Sequence, residues 1–293
     1  PKSHARILHR RSWKTSDGLL RIDFSIVKSK TKLTKTLPEI VRLPPTYELE
    51  LEVINKQAPA AAVVKSILTH TEALVASFQQ SPFLLTESDM HGYRMEFESM
   101  KTRFLNPVTL VRRHIVSDRQ GTILRGYTVT NKADGERCML FVARDRRVLR
   151  ITRKGTIAWT GLTATDDSHL GDIIDGEYLA DRNLFCIFDV YVFRTKRVDR
   201  LPLMTTDEDI HKDPGKSRLG CAHLFVGDLT KSFVPAFSRT PFRIETKLFL
   251  AGDGSAMEQA INRLLDTQFE YPTDGLIFTP RASSVAPVSE RKG

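Results

Sequence analysis

The sequence contains few of the residues that build cross-linked or zinc-bound scaffolds. Its 293 residues include only three cysteines, Cys138, Cys186 and Cys221, which stand far apart in apolar stretches. None of the eight histidines forms an H-x-x-x-H pair. We therefore expect no disulfide framework and no structural zinc site, and the sequence favours a reducing, cytoplasmic compartment.

Long apolar runs are absent as well. No stretch approaches the ~18 consecutive apolar residues that a membrane-spanning helix needs, so no contact with a membrane is expected. The chain begins Pro1-Lys2-Ser3, with neither a methionine nor a signal-like apolar region, which predicts an internal piece of a longer protein. With 41% hydrophobic and 27% charged residues, the composition is that of a soluble globular protein with one or two domains.

Positive charge is abundant and unevenly distributed. The formal net charge is +9, and residues 1–36 hold ten lysines and arginines against two acidic residues. A polyanionic partner such as nucleic acid would explain this excess, and so would a solvated basic arm. Charge alone leaves both explanations open.

The N-terminal region predicts strands followed by a helix. Residues 20–26 and 47–53 alternate between apolar and polar side chains, which is the period of two typical of half-buried strands. Apolar residues then recur at helical spacing over 58–79. Ser81-Pro82 ends this pattern, so we place a domain boundary near residue 80.

The rest of the chain predicts mainly strands, after a mixed stretch over 81–125. A second helix is expected over 255–266, with Ser255 as its N-cap and Leu265 on its buried face. The predicted strands lie at 137–143, 147–153, 173–180, 184–193 and 275–278.

A charged motif, Lys132-Ala-Asp-Gly-Glu-Arg137, separates two apolar segments. Asp134-Gly135 predicts the tight turn of a hairpin, but a hairpin needs neither the lysine nor the arginine. A lysine amine attacks phosphorus only when it is neutral, so a nucleophilic lysine needs a pKa lowered by burial or by nearby cations. Arg137 is one such cation, and ordinary surface charges on a hairpin are the alternative.

Two further acidic-glycine pairs follow later in the chain, Asp175-Gly176-Glu177 and Asp274-Gly275. Between them, the apolar run 184–190 carries Asp189 near its end. Each pair alone is more typical of a turn. The order of the motifs along the chain carries more information than any one of them.

This order resembles that of the covalent nucleotidyltransferase superfamily, which comprises DNA ligases, RNA ligases and mRNA capping guanylyltransferases, over residues 126–280. The resemblance implies an α+β fold of antiparallel sheets with flanking helices. It also implies two steps, in which Lys132 attacks the α-phosphate of a nucleoside triphosphate and a nucleic-acid 5′ end then takes the nucleotide. Mg²⁺ or Mn²⁺ would neutralise the departing pyrophosphate.

The same resemblance implies roles for other residues. Arg137 and Glu177 match the family's ribose contacts, and either Phe185 or Phe188 falls where the family stacks the base. Asp274 matches an acidic residue that supports the metal ion and the lysine. Two more residues are assigned to nucleotide binding, Asp134 and Arg153.

Three glutamates, Glu48, Glu50 and Glu52, point to one face of a predicted strand, which indicates either a hard-metal surface or a solvated face. Together with the basic strand upstream, this strand resembles the closing part of a tunnel-type RNA 5′-triphosphatase. That resemblance implies that the glutamates hold a divalent metal ion. It also implies that Arg21 and Lys28 bind the triphosphate.

A triphosphatase directly before a guanylyltransferase is the arrangement in multifunctional capping enzymes of large DNA viruses. The resemblance therefore implies that 1–80 is the C-terminal part of a triphosphatase β-tunnel with its closing helix. It implies that 81–293 is a guanylyltransferase domain truncated before its last motif and an OB-fold. GTP, RNA 5′ ends and a methyltransferase domain or subunit are the expected partners. The expected location is the cytoplasm, and a viral factory or a virion is also expected from this resemblance.

Two other functions stay open at this point. An ATP- or NAD-dependent polynucleotide ligase would use the lysine motifs but leaves the glutamate strand unexplained. A non-catalytic RNA-binding fragment would keep the fold. The resemblance also implies a second glutamate-rich strand and a K-x-K strand after Asp274-Gly275, which the 293 residues do not contain. We therefore predict that this segment alone is weak or inactive in full capping.

Overall fold

The structure, a computed structural model, divides into two compact units, residues 1–78 and 79–293. It describes residues 6–29, 36–79, 81–116, 122–205, 212–236 and 242–285. None of the helices in these ranges is both long and apolar enough to cross a membrane.

The first unit is built around an antiparallel sheet of three strands. β1 (Arg6–Lys14), β2 (Leu20–Ser29) and β3 (Thr46–Val53) pair in that order. α1 (Leu37–Arg42) lies between β2 and β3 in the chain, and α2 (Ala60–Gln79) follows β3. The two strands and the long helix that periodicity predicts in this region are confirmed.

The second unit consists mainly of strands. Its helices are α3 (Glu87–Ser99), α4 (Arg218–Ser232) and α5 (Ser255–Asp266). Its strands are β4 (Tyr127–Ala133), β5 (Glu136–Val142), β6 (Arg147–Thr152), β7 (Ile157–Ala164), β8 (Ile173–Leu179), β9 (Leu184–Phe193), β10 (Lys196–Arg197), β11 (Phe233–Pro235), β12 (Arg243–Thr246), β13 (Phe249–Gly252) and β14 (Thr273–Pro280). The four strands predicted between residues 137 and 193 are confirmed, with ends that differ by at most one residue.

Some predicted details are wrong. Gly254, not Ser255, is the N-cap of α5, and Ser255 is its first helical residue. Leu265 is exposed, because the buried face of this helix is formed by Met257, Ala260 and Leu264. The stretch 81–125, predicted to be mixed, contains the regular helix α3, whose N-cap Thr86 accepts a hydrogen bond from the backbone N–H of Asp89.

The strands of the second unit form two sheets. The large sheet has the order β10-β9-β8-β5-β6-β7-β11, and β12 pairs with β9 in parallel. The small sheet has the order β13-β4-β14. Antiparallel pairing otherwise holds throughout the described strands, as the predicted fold class requires.

The segment around Asp134-Gly135 links the two sheets and is not a hairpin turn. β4 belongs to the small sheet and β5 to the large sheet, so the expected hairpin is corrected. Gly135 is required for close packing instead, since a Cβ placed there would lie 2.7 Å from the carbonyl oxygen of Tyr178. The lysine motif therefore lies where the two sheets meet.

Each face of the large sheet is covered by a helix. Leu140, Ile187 and Phe225 belong to a core that includes α4, whereas Phe141 and Tyr93 belong to a core that includes α3. Burial of these side chains away from water is the main force that holds the sheet rigid. The second of these faces carries the polar residues described next.

Candidate active site

Lys132 and Asp274 meet across two neighbouring strands of the small sheet. The pairing of β14 with β4 shifts register between Thr273 and Leu276, so Asp274 lies in an irregular segment opposite the end of β4. Lys132 Nζ donates a short hydrogen bond to Asp274 Oδ2, and both side chains are about half exposed. The structure thus brings together two residues that lie 142 positions apart.

The environment of Lys132 stabilises its ammonium form. The hydrogen bond to Asp274 raises the pKa of Lys132, and the nearby carboxylates of Glu177 and Asp134 act in the same direction. The expectation that neighbouring cations lower this pKa is therefore wrong for the chain without bound substrate. A nucleophilic role requires that Asp274 be drawn away or that the proton be removed.

Arg137 is held on the α3-covered face of the large sheet. Its Nε and Nη2 donate to the two carboxylate oxygens of Asp175 at 3.2 and 2.6 Å, and Nη1 donates to the carbonyl of Leu105. Its guanidinium lies 5.7 Å from the ring centroid of Phe104 and 5.2 Å from that of Phe188. This arrangement fixes the planar cation while leaving its outer N–H groups for a ligand.

Glu177 lies on the same face of β8 as Asp175 and reaches the lysine motif. Burial raises the pKa of Glu177, although Lys247 and Arg137 oppose that effect. The backbone N–H of Gly135 also donates to this carboxylate. Glu177 is therefore positioned between the two sheets and near both cations.

Lys247 is a site residue that the sequence analysis missed. It follows β12, its side chain is almost fully buried, and its Nζ lies 5.9 Å from the ring centroid of Phe188. Burial lowers the pKa of Lys247 to about 8. The only signal in the sequence is a lysine at the end of a short strand, and the parallel pairing of β12 with β9 that brings it here leaves no local pattern.

Two irregularities in β9 decide which aromatic residue faces the site. Register shifts in the pairing with β8 skip Phe188 and Tyr191, and such bulges redirect side chains. Phe188 is half-buried beside Arg137. Phe185 is fully buried in the core that includes α4, on the opposite face of the sheet. The assignment of Phe185 to nucleotide binding is therefore corrected, and Phe188 is the candidate for stacking a base.

Asp134 and Arg153 lie at the edge of this site. Asp134 is exposed, and its backbone N–H donates to the carbonyl of Pro272 at 3.1 Å. Arg153 is exposed in the turn between β6 and β7. Their roles in nucleotide binding stay predictions.

The glutamates of the first unit carry arginine partners. Glu48, Glu50 and Glu52 lie on one face of β3, as predicted, and form ion pairs with Arg6, Arg10 and Arg21 respectively. Within the described residues, no group of three or more acidic, histidine or cysteine side chains is arranged to hold a metal ion. The expected metal surface is therefore corrected to a surface of alternating charge.

Arg21 and Lys28 do not point to the same face of β2. They lie seven positions apart, an odd number, so their side chains project from opposite sides of the strand. Arg21 pairs with Asp23 and Glu52, whereas Lys28 donates to the carbonyl of Val41. This geometry corrects the prediction that both bind one triphosphate. The cation that lies beside Arg21 is Arg10, since both contact Asp23.

Comparison with known families places this site in a defined class. Residues 99–292 match the family of the mRNA capping enzyme catalytic domain. This match covers more than half of the chain and contains Lys132, Arg137, Glu177, Lys247 and Asp274. The chain belongs to the mRNA capping enzyme family.

One relative is a viral protein described as a probable mRNA-capping enzyme, from Acanthamoeba polyphaga mimivirus. It is 30% identical to this chain over 177 residues, which is 58% of the chain. The matched region is 14% of the relative's own length, so the chain corresponds to a small part of that protein.

Proposed function

We propose that this chain carries an mRNA guanylyltransferase that transfers GMP from GTP, through a lysyl-N-GMP intermediate, to diphosphate-ended RNA. The observation that carries the proposal is the pairing of Lys132 with Asp274 beside Arg137, Glu177 and Lys247, within a capping enzyme catalytic domain. The chemistry that follows uses these residues.

In the first step, the amine of Lys132 forms a bond to the α-phosphorus of GTP. The bond from that phosphorus to the bridging oxygen breaks, and pyrophosphate leaves with the electron pair. The ammonium must lose one proton before the attack, and Asp274 Oδ2, which already accepts its hydrogen bond, is positioned to take it. The attacking nitrogen loses a second proton, to solvent, once it is bonded to phosphorus.

In the second step, a terminal oxygen of the RNA 5′-diphosphate attacks the same phosphorus. The phosphorus–nitrogen bond breaks, and the nitrogen of Lys132 takes up two protons and returns to the ammonium form. Lys247 and Arg137 supply positive charge around the phosphates and ribose, while Phe188 offers a ring face to the base.

A divalent metal ion fits this site as a companion of the substrate. Mg²⁺ typically keeps several waters and phosphate oxygens and needs only one or two carboxylates from the protein. Asp274 is the carboxylate that would hold it. When bound, the ion would neutralise charge on the departing pyrophosphate.

For the first unit we propose an RNA 5′-triphosphatase part, supported by the arginines on its sheet face of alternating charge. Arg10 and Arg21 both bond to the buried carboxylate of Asp23, which fixes two guanidinium groups side by side where a triphosphate could contact them. The test is release of γ-phosphate from triphosphate-ended RNA by the intact protein. Arg10→Ala should reduce release, and wild-type release by this variant would remove the face from the proposal.

The partners and location follow from the proposed reaction. We propose GTP and RNA 5′ ends as substrates and a methyltransferase domain or subunit as the next enzyme, since a transferred guanylate is the substrate for cap methylation. The proposed location is the cytoplasm, with a viral factory or a virion as the specific site.

The guanylyltransferase is tested by covalent labelling. The intact protein is incubated with α-labelled GTP or ATP and Mg²⁺, denatured, and examined for retained label. GTP label with little ATP label supports capping, and the reverse pattern supports a polynucleotide ligase. Absence of label from folded protein would contradict both. As a control, Lys231→Ala, which removes an exposed lysine of α4, should be labelled like the wild-type protein.

A further inference from the structure

A row of charged side chains, buried except at Arg137, runs from Arg137 across two strands to helix α4. Asp175 on β8 and Asp189 on β9 are directly paired in register, and each has its own arginine. Arg137 binds Asp175 from one side, and Arg218 binds Asp189 from the other. Tyr191 also donates to Asp175, with 3.0 Å between its hydroxyl and Oδ2.

The two carboxylates need both arginines. Asp175 is fully buried, Asp189 is 7% exposed, and like charges directly opposite each other on paired strands repel. Burial and the charge of Asp189 raise the pKa of Asp175, whereas its bonds to Arg137 lower it. The guanidinium of Arg218 offsets the charge of Asp189, and an ionised Asp175 holds Arg137 through two charge-assisted hydrogen bonds.

Arg218 lies where a cation does not stabilise its own helix. It is the first residue of α4, where the positive end of the helix dipole disfavours a cation. It is nevertheless fully buried. Nε and Nη2 bind Asp189 at 2.6 and 3.2 Å, and Nη1 donates to the carbonyls of Leu201 and Ser283.

We propose that Arg218 is a positioning residue for nucleotide binding, acting through the Asp189–Asp175 pair to fix the guanidinium of Arg137. This inference rests on the proposed function, because it takes Arg137 to contact the nucleotide. The inference predicts that GTP affinity falls when residue 218 loses its positive charge, and that this fall is larger than a loss of stability alone would cause.

The test measures the Kd for GTP without divalent metal, by calorimetry, on folded intact protein. Arg218→Met should raise the Kd by roughly fivefold or more, a size typical of coupled neighbours. Arg218→Lys keeps the charge and should lose less affinity. The double variant Arg218→Met/Asp189→Asn removes both charges and should recover most of the wild-type affinity.

Arg194→Met is the matched control. Like Arg218, Arg194 forms an ion pair that involves α4, in its case with Asp228, but it does not touch Asp189 or Asp175. An unchanged Kd in Arg218→Met, an equal rise in Arg194→Met, or no recovery in the double variant would each overturn the inference. If Arg218→Met does not fold, Arg218→Gln carries the same expectations. Wild-type protein that fails to bind GTP would instead refute the proposed function.

Discussion

Lys247 should make the affinity of the proposed site for an anionic nucleotide depend on pH. Its pKa is lowered to about 8 by burial, so the charged fraction falls from about nine-tenths at pH 7 to about one-tenth at pH 9. If only the cationic form attracts the phosphates, the Kd for GTP rises about tenfold over this range, or about 1.4 kcal/mol. The pKa of Lys132 is raised above its usual 10.5, so Lys132 stays charged throughout and does not contribute.

The assay is calorimetric titration with GTP at pH 7, 8 and 9 without divalent metal, which prevents turnover from obscuring binding. Lys247→Arg should bind with little change over this range, because a guanidinium keeps its charge. Lys247→Met should bind weakly at every pH, and Lys231→Met should behave like wild type. A flat wild-type profile, or the same slope in Lys247→Arg, would refute the reasoning.

Three further predictions concern stability and packing. Because folding lowers the pKa of Lys247, the unfolded chain binds more protons between about pH 8 and 10.5, and stability should rise with pH through that window. Lys247→Met should accordingly raise the free energy of unfolding at pH 7, by at most on the order of 3 kcal/mol, and so raise the Tm; an unchanged Tm in thermal unfolding would contradict this. Gly135→Ala should lower the free energy of unfolding by about 1–3 kcal/mol and reduce covalent labelling, because its Cβ would collide with the Tyr178 carbonyl and displace Glu177. A wild-type melting curve with full labelling would argue against that contact. Phe188→Ala should weaken GTP binding by about 1–3 kcal/mol with little change in Tm, whereas Phe185→Ala should lower stability by about 3–5 kcal/mol; equal effects of the two on binding would contradict their assignment to opposite faces.

The sequence was sufficient to predict half of the described strands, including the longest strand of the large sheet, and the order of the motifs. Alternation along β2 and β3 and the apolar run of β9 follow directly from burial of one or both faces. The lysine motif and the two later acidic-glycine pairs are continuous in sequence, so they could be identified before any contact was known.

The pairing of distant strands could not be predicted in this way. Asp134-Gly135 has the composition of a hairpin turn, yet β4 and β5 join different sheets. Both partners of β4 lie more than a hundred residues away, whereas β5 pairs with the next strand, β6, and with β8 about forty residues away. The register shifts that leave Phe188 and Tyr191 without a paired residue on β8 depend on how β8 and β9 pack, which local pattern does not reveal. Lys247 was missed for the same reason.

The pKa of Lys132 shows a similar limit. Neighbours in sequence, such as Arg137, suggested a lowered pKa, but the residue that dominates is Asp274 on another strand. Reactivity therefore depends on what substrate and metal do to that ion pair. We expect Asp274→Asn to leave GTP binding largely intact while slowing formation of the covalent intermediate, because the proton acceptor is lost.

The central claim is that Lys132 becomes covalently attached to GMP, and peptide mass spectrometry tests it most directly. The intact protein is incubated with GTP and Mg²⁺, quenched under alkaline conditions that preserve phosphoramidates, and digested. The account predicts one GMP adduct, on the peptide that contains Lys132, and its loss in Lys132→Arg. A GMP adduct on any other lysine, or an adduct that persists in Lys132→Arg, would contradict the account.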